Sequence, residues 1–159
     1  MKAFAALVAA AAAFAVSAAH AQSSTPAAAP VAASAAASPK ADANADTAAA
    51  VDAANRWLAL MDAGQAVEAW DQAAPILQSA VTRTAWMDVG KSVRAPLGAV
   101  KSRRLASSVF TRTLPGAPEG EYVVVRYTTD FTSRAGITET VVPMRQPDGS
   151  WKVTTYRFR

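Results

Sequence analysis

Cysteine is missing from all 159 residues, and histidine occurs once, as His20. The first absence excludes disulfides, thiolate metal ligands, cysteine nucleophiles and a lipidated N-terminal cysteine. The second matters because His20 falls in a segment expected to be cut away, which leaves a mature chain with neither thiol nor imidazole. A Ser-His-Asp triad, a Cys-His pair and a histidine-bearing zinc site are then out of reach. Glycine is scarce too, and its seven residues spell neither a phosphate-cradling Walker loop nor a dinucleotide fingerprint. Gly116 and Gly120 sit in a proline-rich turn that opens no helix. Asp42, Asp46 and Asp52 are too dispersed to wrap a calcium ion. No metal and no cofactor is expected.

What the chain has in excess is alanine near its start. Met1 and Lys2 begin it with a positive charge, residues 3–18 are almost unbroken apolar sequence, and Ala19-His20-Ala21 supplies a small-x-small cleavage pattern before Gln22. That is the layout of a secretory signal peptide over residues 1–21, cut after Ala21. The apolar run is short for crossing a bilayer of about 30 Å, and alanine is only weakly lipophilic, so no stable membrane anchor is expected. The expected location is the periplasm or the medium. Residues 22–46 are Ala, Pro, Ser and Thr with Val31 as the one large apolar side chain, which reads as a disordered tether. Residues 47–159 remain as a single domain, long enough to build one core without disulfides.

Charge is unevenly placed along that domain. Residues 47–90 hold Arg56 and Arg83 against Asp52, Asp62, Glu68, Asp71 and Asp88, whereas residues 91–159 hold twelve Lys/Arg against five Asp/Glu. Two explanations stand. Oppositely charged layers of one domain attract each other, or the basic half meets an anionic partner.

The front half is helical in pattern. Asp46 or Thr47 can cap a helix to about Ala63 with Val51, Ala54, Leu58 and Met61 on one stripe and Gly64 beyond its end. A shorter helix follows through Ala66, Val67, Trp70 and Ala73, with Pro75 either ending it or opening a further turn. Thr82 caps a third, which must stop near Arg94 or Ala95 because Pro96 and Gly98 follow. Trp57, Trp70 and Trp86 fall on these apolar stripes and are expected in the core.

From Val100 the texture turns β-branched and aromatic. Four strands fit, at roughly 99–113, 120–131, 136–146 and 150–158, and Pro147-Asp148-Gly149 makes a tight hairpin turn between the last two. In the second strand Val123, Val125, Tyr127 and Phe131 share the face expected to meet the helices. Tyr122, Val124, Arg126, Thr128 and Asp130 share the other, whose mixed polarity suits a groove or a partner contact. Pro143 marks a bulge or a free strand side. The expected fold class is α+β, with three N-terminal helices on one face of a four-stranded antiparallel meander.

Several segments carry a family resemblance: Trp57 to Gly64, Glu68-Ala69-Trp70, Arg94 to Gly98, Ser102-Arg103-Arg104, Leu114 to Tyr122, Glu139-Thr140-Val141 and Asp148 to Val153. In this order they resemble the secreted bacterial family called domain of unknown function 4019, over residues 50–159. The family ordinarily ends with a glycine before its last aromatic residues, and Thr155-Tyr156-Arg157-Phe158-Arg159 lacks it. The resemblance implies domain extent and export, and brings no catalytic residue. The helix-then-meander order is also similar to the nuclear transport factor 2-like or cystatin-like superfold, a likeness that leaves function open.

The candidate binding residues are the basic cluster Lys101, Arg103 and Arg104, with Arg126 one strand away and Tyr122 beside it. Arginine grips carboxylates and phosphates with two parallel hydrogen bonds, so these residues suit a protein or an anionic envelope component, and equally a solvated strand edge. Export and the lack of interleaved aromatics argue against nucleic acid. The leading expectation is a non-catalytic exported binding module. The alternative is a small-ligand carrier or an enzyme in which Asp130 or Glu139, with Tyr122, Tyr127 or Tyr156, works in a pocket; an ion pair of that carboxylate with Arg126, Arg103 or Arg104 is the plainer use of the same residues. A homodimer through the exposed sheet face is a third reading.

Overall fold

A computed structural model describes residues 39–159, with side chains from residue 43 onward. The signal peptide expected at residues 1–21 and most of the expected tether lie outside the described residues. Helix α1 spans Pro39–Asp62, α2 Ala66–Asp71, α3 Pro75–Ala80 and α4 Arg83–Val89. A π turn at Gly90–Arg94 and a 3-10 turn at Ala95–Leu97 lead from α4 into β1, Val100–Thr111. Strands β2 (Tyr122–Phe131), β3 (Ile137–Arg145) and β4 (Trp151–Phe158) complete an antiparallel meander in the order β1-β2-β3-β4. The class is therefore α+β.

Helix α1 contacts all four strands. It buries Ala50, Ala54, Trp57, Leu58 and Met61, a spacing of three and four residues that keeps one stripe on the sheet. Val123, Val125, Tyr127 and Phe131 are buried as the alternation of β2 requires, and Thr129 joins them. The three helical tryptophans pack as expected, Trp57 and Trp86 in the core and Trp70 against it. The ring of Trp57 lies 5.7 Å from that of Trp86 and 5.2 Å from that of Tyr156. Its indole N–H donates to the Ala69 carbonyl at 2.7 Å, which fastens α2 to α1. No helix among the described residues is long and apolar enough to cross a membrane.

Three local expectations change. Four α-helical segments, not three, precede the sheet among the described residues, because Pro75 opens α3 at a position where its missing N–H loses no hydrogen bond. The preceding Ala74 N–H goes instead to the Val153 carbonyl at 2.8 Å, so α3 starts docked on the outer edge of β4. Helix α1 includes Pro39 to Asp46, which the sequence reading gave to the tether; alanine's high helix propensity carries the helix back through them. Thr47 consequently does not cap it, and its hydroxyl donates to the Ala43 carbonyl one turn earlier at 2.7 Å. Thr82 does cap α4, accepting from the Ala85 N–H at 3.3 Å.

Pro143 sits at a register shift between β3 and β4, the bulge that a residue without an N–H favours. The turn at Pro147-Asp148-Gly149 closes through the Asp148 carboxylate, which accepts from the Ser150 hydroxyl at 2.6 Å and from its N–H at 2.9 Å. Those bonds, the hydroxyl first, hold the Asp148 carboxyl below its ordinary range.

Gly98 is where the helical layer turns into the sheet. Its φ of 79° and ψ of −158° belong to a region open almost only to glycine, and a Cβ there would stand 2.0 Å from the Thr132 hydroxyl oxygen. Gly64, at φ 75°, has open space around it. Gly98→Ala is therefore expected to destabilise by about 3 kcal/mol and Gly64→Ala by about 1 kcal/mol. Urea midpoints of the two variants check this; equal shifts would remove the steric part of the account.

Candidate functional site

The sheet presents two faces of opposite character. On the helix side, Glu139 of β3 is completely buried. One carboxylate oxygen accepts from the Nε of Arg103 at 2.8 Å and from the Thr129 hydroxyl, and the other accepts from the Tyr156 hydroxyl. Arg103 also grips Asp62 of α1 with both terminal nitrogens, at 2.6 and 3.0 Å. Arg94 reaches the same Asp62 at 2.6 Å, donates to the Gly98 carbonyl at 3.1 Å and lies 4.4 Å above the Phe131 ring. Burial works against the charge on Arg103, but hydrogen bonds to Asp62 and Glu139 outweigh it and lift its pKa above the ordinary value. Burial, then the charge of Glu139, raises that of Tyr156 as well. Burial pushes Tyr127 up to about 12, and its hydroxyl donates to Asn55 at 2.6 Å.

This arrangement divides the expected basic cluster. Arg103 pairs with Thr129 across the strands and faces the helices, while its neighbour Arg104 pairs with Thr128 and is exposed on the opposite face. Lys101 is exposed beside the register shift between Val100 and Ser102. Asp130 and Glu139 are likewise kept apart. Asp130 accepts from the Gly136 N–H at 2.8 Å and the Ser102 hydroxyl at 3.0 Å, and these bonds, in that order, hold its carboxyl below the usual range. Glu139 takes the ion pair with Arg103 that was the plainer reading of a strand carboxylate.

The outer face forms a groove. Arg126, Thr140 and Arg157 stand side by side on β2, β3 and β4. With strands spaced by about 4.8 Å, the two arginines rise roughly 10 Å apart with a threonine hydroxyl between them. Val124, Val142 and Thr155 continue the floor, the Leu114–Ala117 loop walls one side, and Ile76 and Ala80 of α3 wall the other, enclosing about 470 Å³. A second stretch of about 240 Å³ carries on from the same three residues past Thr138 to Arg159. Tyr122 belongs to this face but is fully covered; its hydroxyl donates to the Pro118 carbonyl at 2.7 Å, so its ring shapes the wall. Arg104, Arg126, Arg157 and Arg159 are all exposed, and none takes part in an ion pair among the described residues.

Of the sequence candidates, Arg126 is thus in the groove, Tyr122 forms its wall, Arg104 shares its face, and Arg103 is in the core. Arg157 and Thr140 were missed. Polar-apolar-polar alternation along Thr155-Tyr156-Arg157 marks Arg157 as outward-facing, whereas Thr140-Val141-Val142 carries no such signal, and only strand register brings the two beside Arg126.

A family model described as Protein of unknown function (DUF4019) matches residues 53–156, about two thirds of the chain. Neither the comparison with curated proteins nor that with solved structures returned a match.

Two outcomes are expected from the buried network. Arg103→Ala leaves the buried Glu139 without its counter-charge, while Asp62 keeps Arg94, and is expected to cost about 3–5 kcal/mol; Arg103→Met combined with Glu139→Leu recovers much of that loss; urea denaturation of both variants checks it. Tyr127 and Tyr156 have pKa values raised above the free value of 10.0, so the fold favours their neutral form. Their contribution is complete below pH 10 and is lost as pH climbs beyond it. Urea midpoints measured across pH 9–12 should fall above pH 10, and Tyr156→Phe should flatten the fall.

Proposed function

Since this chain belongs to the family described as Protein of unknown function (DUF4019), a membership that names no substrate, we propose its function from the outer groove: it is a non-catalytic binding module that grips an anionic group on a protein or an envelope component. The observation carrying this reading is the row Arg126, Thr140, Arg157, two arginines without a carboxylate partner among the described residues, set in a walled groove rather than on an open surface. Guanidinium forks at that spacing can each take a carboxylate or phosphate with paired hydrogen bonds, and the intervening hydroxyl adds a donor. We further infer an exported, periplasmic protein from the N-terminal sequence pattern. The arrangement of helices on one face of a four-stranded meander, with the other face left for a ligand, supports assignment to the nuclear transport factor 2-like or cystatin-like type.

The carboxylate-based alternative has less behind it. Both oxygens of Glu139 are occupied by Arg103, Thr129 and Tyr156, and Asp130 is tied down at the sheet's end by Gly136 and Ser102.

Poly-L-glutamate and inorganic polyphosphate are the probes. Arg126→Ala and Arg157→Ala are each expected to weaken binding of at least one of them about tenfold at fixed salt, in line with the loss of one charged hydrogen-bonding group. Arg83→Ala removes an equal charge from the helix side and is expected to leave affinity unchanged within twofold. Equal losses for all three variants would reduce the groove to nonspecific charge and end this reading.

A further inference from the structure

The outer groove changes character along its length. Arg126, Thr140 and Arg157 line both of its stretches and therefore stand at their junction. Two residues farther along the strands, about 7 Å away, the same face carries Val124, Val142 and Thr155. Past them the larger stretch is walled by Ile76 and Ala80 of α3 and by Leu114 and Pro115 of the loop, so that end is chiefly apolar. Ile76, Leu114 and Val124 are each half-buried, which leaves part of every one of these side chains open to a ligand. The volume of about 470 Å³ lies within the range of small-molecule sites, roughly 300–1,000 Å³. No aspartate or glutamate lines either stretch.

The head group follows from counting charges and donors. Two guanidinium forks and a hydroxyl meet whatever sits at the junction, and neither arginine has an acidic partner among the described residues. A carboxylate brings one charge and two oxygens, which a single fork satisfies. A phosphate monoester brings a charge of about −1.5 to −2 near pH 7 and three acceptor oxygens, enough for both forks. The apolar end calls for a tail on the same molecule. Building on the anion-binding reading of this groove, we propose that its ligand is a phosphate monoester bearing one alkyl chain, the chemistry of a single-chain phospholipid with a terminal phosphate. The phosphate accepts from Arg126, Arg157 and Thr140, and the chain lies along Val124 toward Leu114 and Ile76.

Titration of the full chain with octyl phosphate, followed by NMR amide shifts, tests the assignment. Octyl phosphate is expected to bind at least tenfold more tightly than inorganic phosphate, because only the former buries methylenes. It should also bind at least fivefold more tightly than octanoate, which has the tail without the second charge. Arg126→Ala and Arg157→Ala should each weaken octyl phosphate about tenfold. Leu114→Ser and Ile76→Ser leave the charge unchanged, so each should weaken octyl phosphate at least threefold and inorganic phosphate not at all; the unchanged phosphate binding also reports an intact head site. Octanoate binding as tightly as octyl phosphate would overturn the head group assigned. Octyl phosphate binding no more tightly than inorganic phosphate, while Arg126→Ala still weakens polyphosphate, would overturn the amphiphile and leave the anion-binding groove standing. Octyl phosphate and polyphosphate both indifferent to Arg126→Ala and Arg157→Ala would remove the groove and the amphiphile together.

Discussion

Asp62 is where the helical layer is locked to the sheet. Apolar contact between α1 and the strands drives the layers together but is indifferent to small slips and rotations. The carboxylate at the end of α1, gripped at once by Arg94 and by Arg103, admits one arrangement. Through Arg103 the chain of contacts continues to Glu139, then to Tyr156, whose ring packs against Trp57 on the same helix. The path therefore closes on α1. We regard registry of helix on sheet as the main service of these charges, since their net electrostatic gain is offset by the cost of drying them.

The same sorting explains the charge asymmetry of the chain. Part of the basic back half answers the acidic front half internally, through Asp62 with Arg94 and Arg103, and Arg145 pairs with Asp46 just ahead of that half. Another part does not. Arg104, Arg126, Arg157 and Arg159 are exposed and have no acidic partner among the described residues, and the first three stand on the face away from α1. The internal explanation weighed from the sequence thus accounts for Arg94 and Arg103 and leaves the exposed arginines outside it.

That division shows what was legible. The stripe of α1, the inward face of β2, the cap at Thr82 and the turn at Asp148-Gly149 follow from local periodicity and local hydrogen bonding, and they were readable residue by residue. The mixed outer face of β2 suited a groove or a partner contact, and Arg126 was read as belonging to that face. Arg103 and Arg104 were grouped because they are adjacent in sequence, although successive residues of a strand point to opposite faces and these two pair in unbroken register with Thr129 and Thr128. Arg157 reaches Arg126 only through two successive hairpins with a bulge in the second, so its role rests on nonlocal register. Pro75 was ambiguous for a plain reason: the residue that ends one helix is equally suited to begin another.

The π turn at Gly90–Arg94 has a consequence for how this chain can change over time. A π turn is an α-helix carrying one surplus residue, and each residue advances an α-helix by about 100°. Deleting one residue of Gly90–Ser92 would restore regular winding and leave Arg94 on nearly its present side of the helix, within reach of Asp62 and Phe131. Lineages descending from this chain can therefore shorten the turn by its surplus residue while keeping the grip of Arg94 on Asp62.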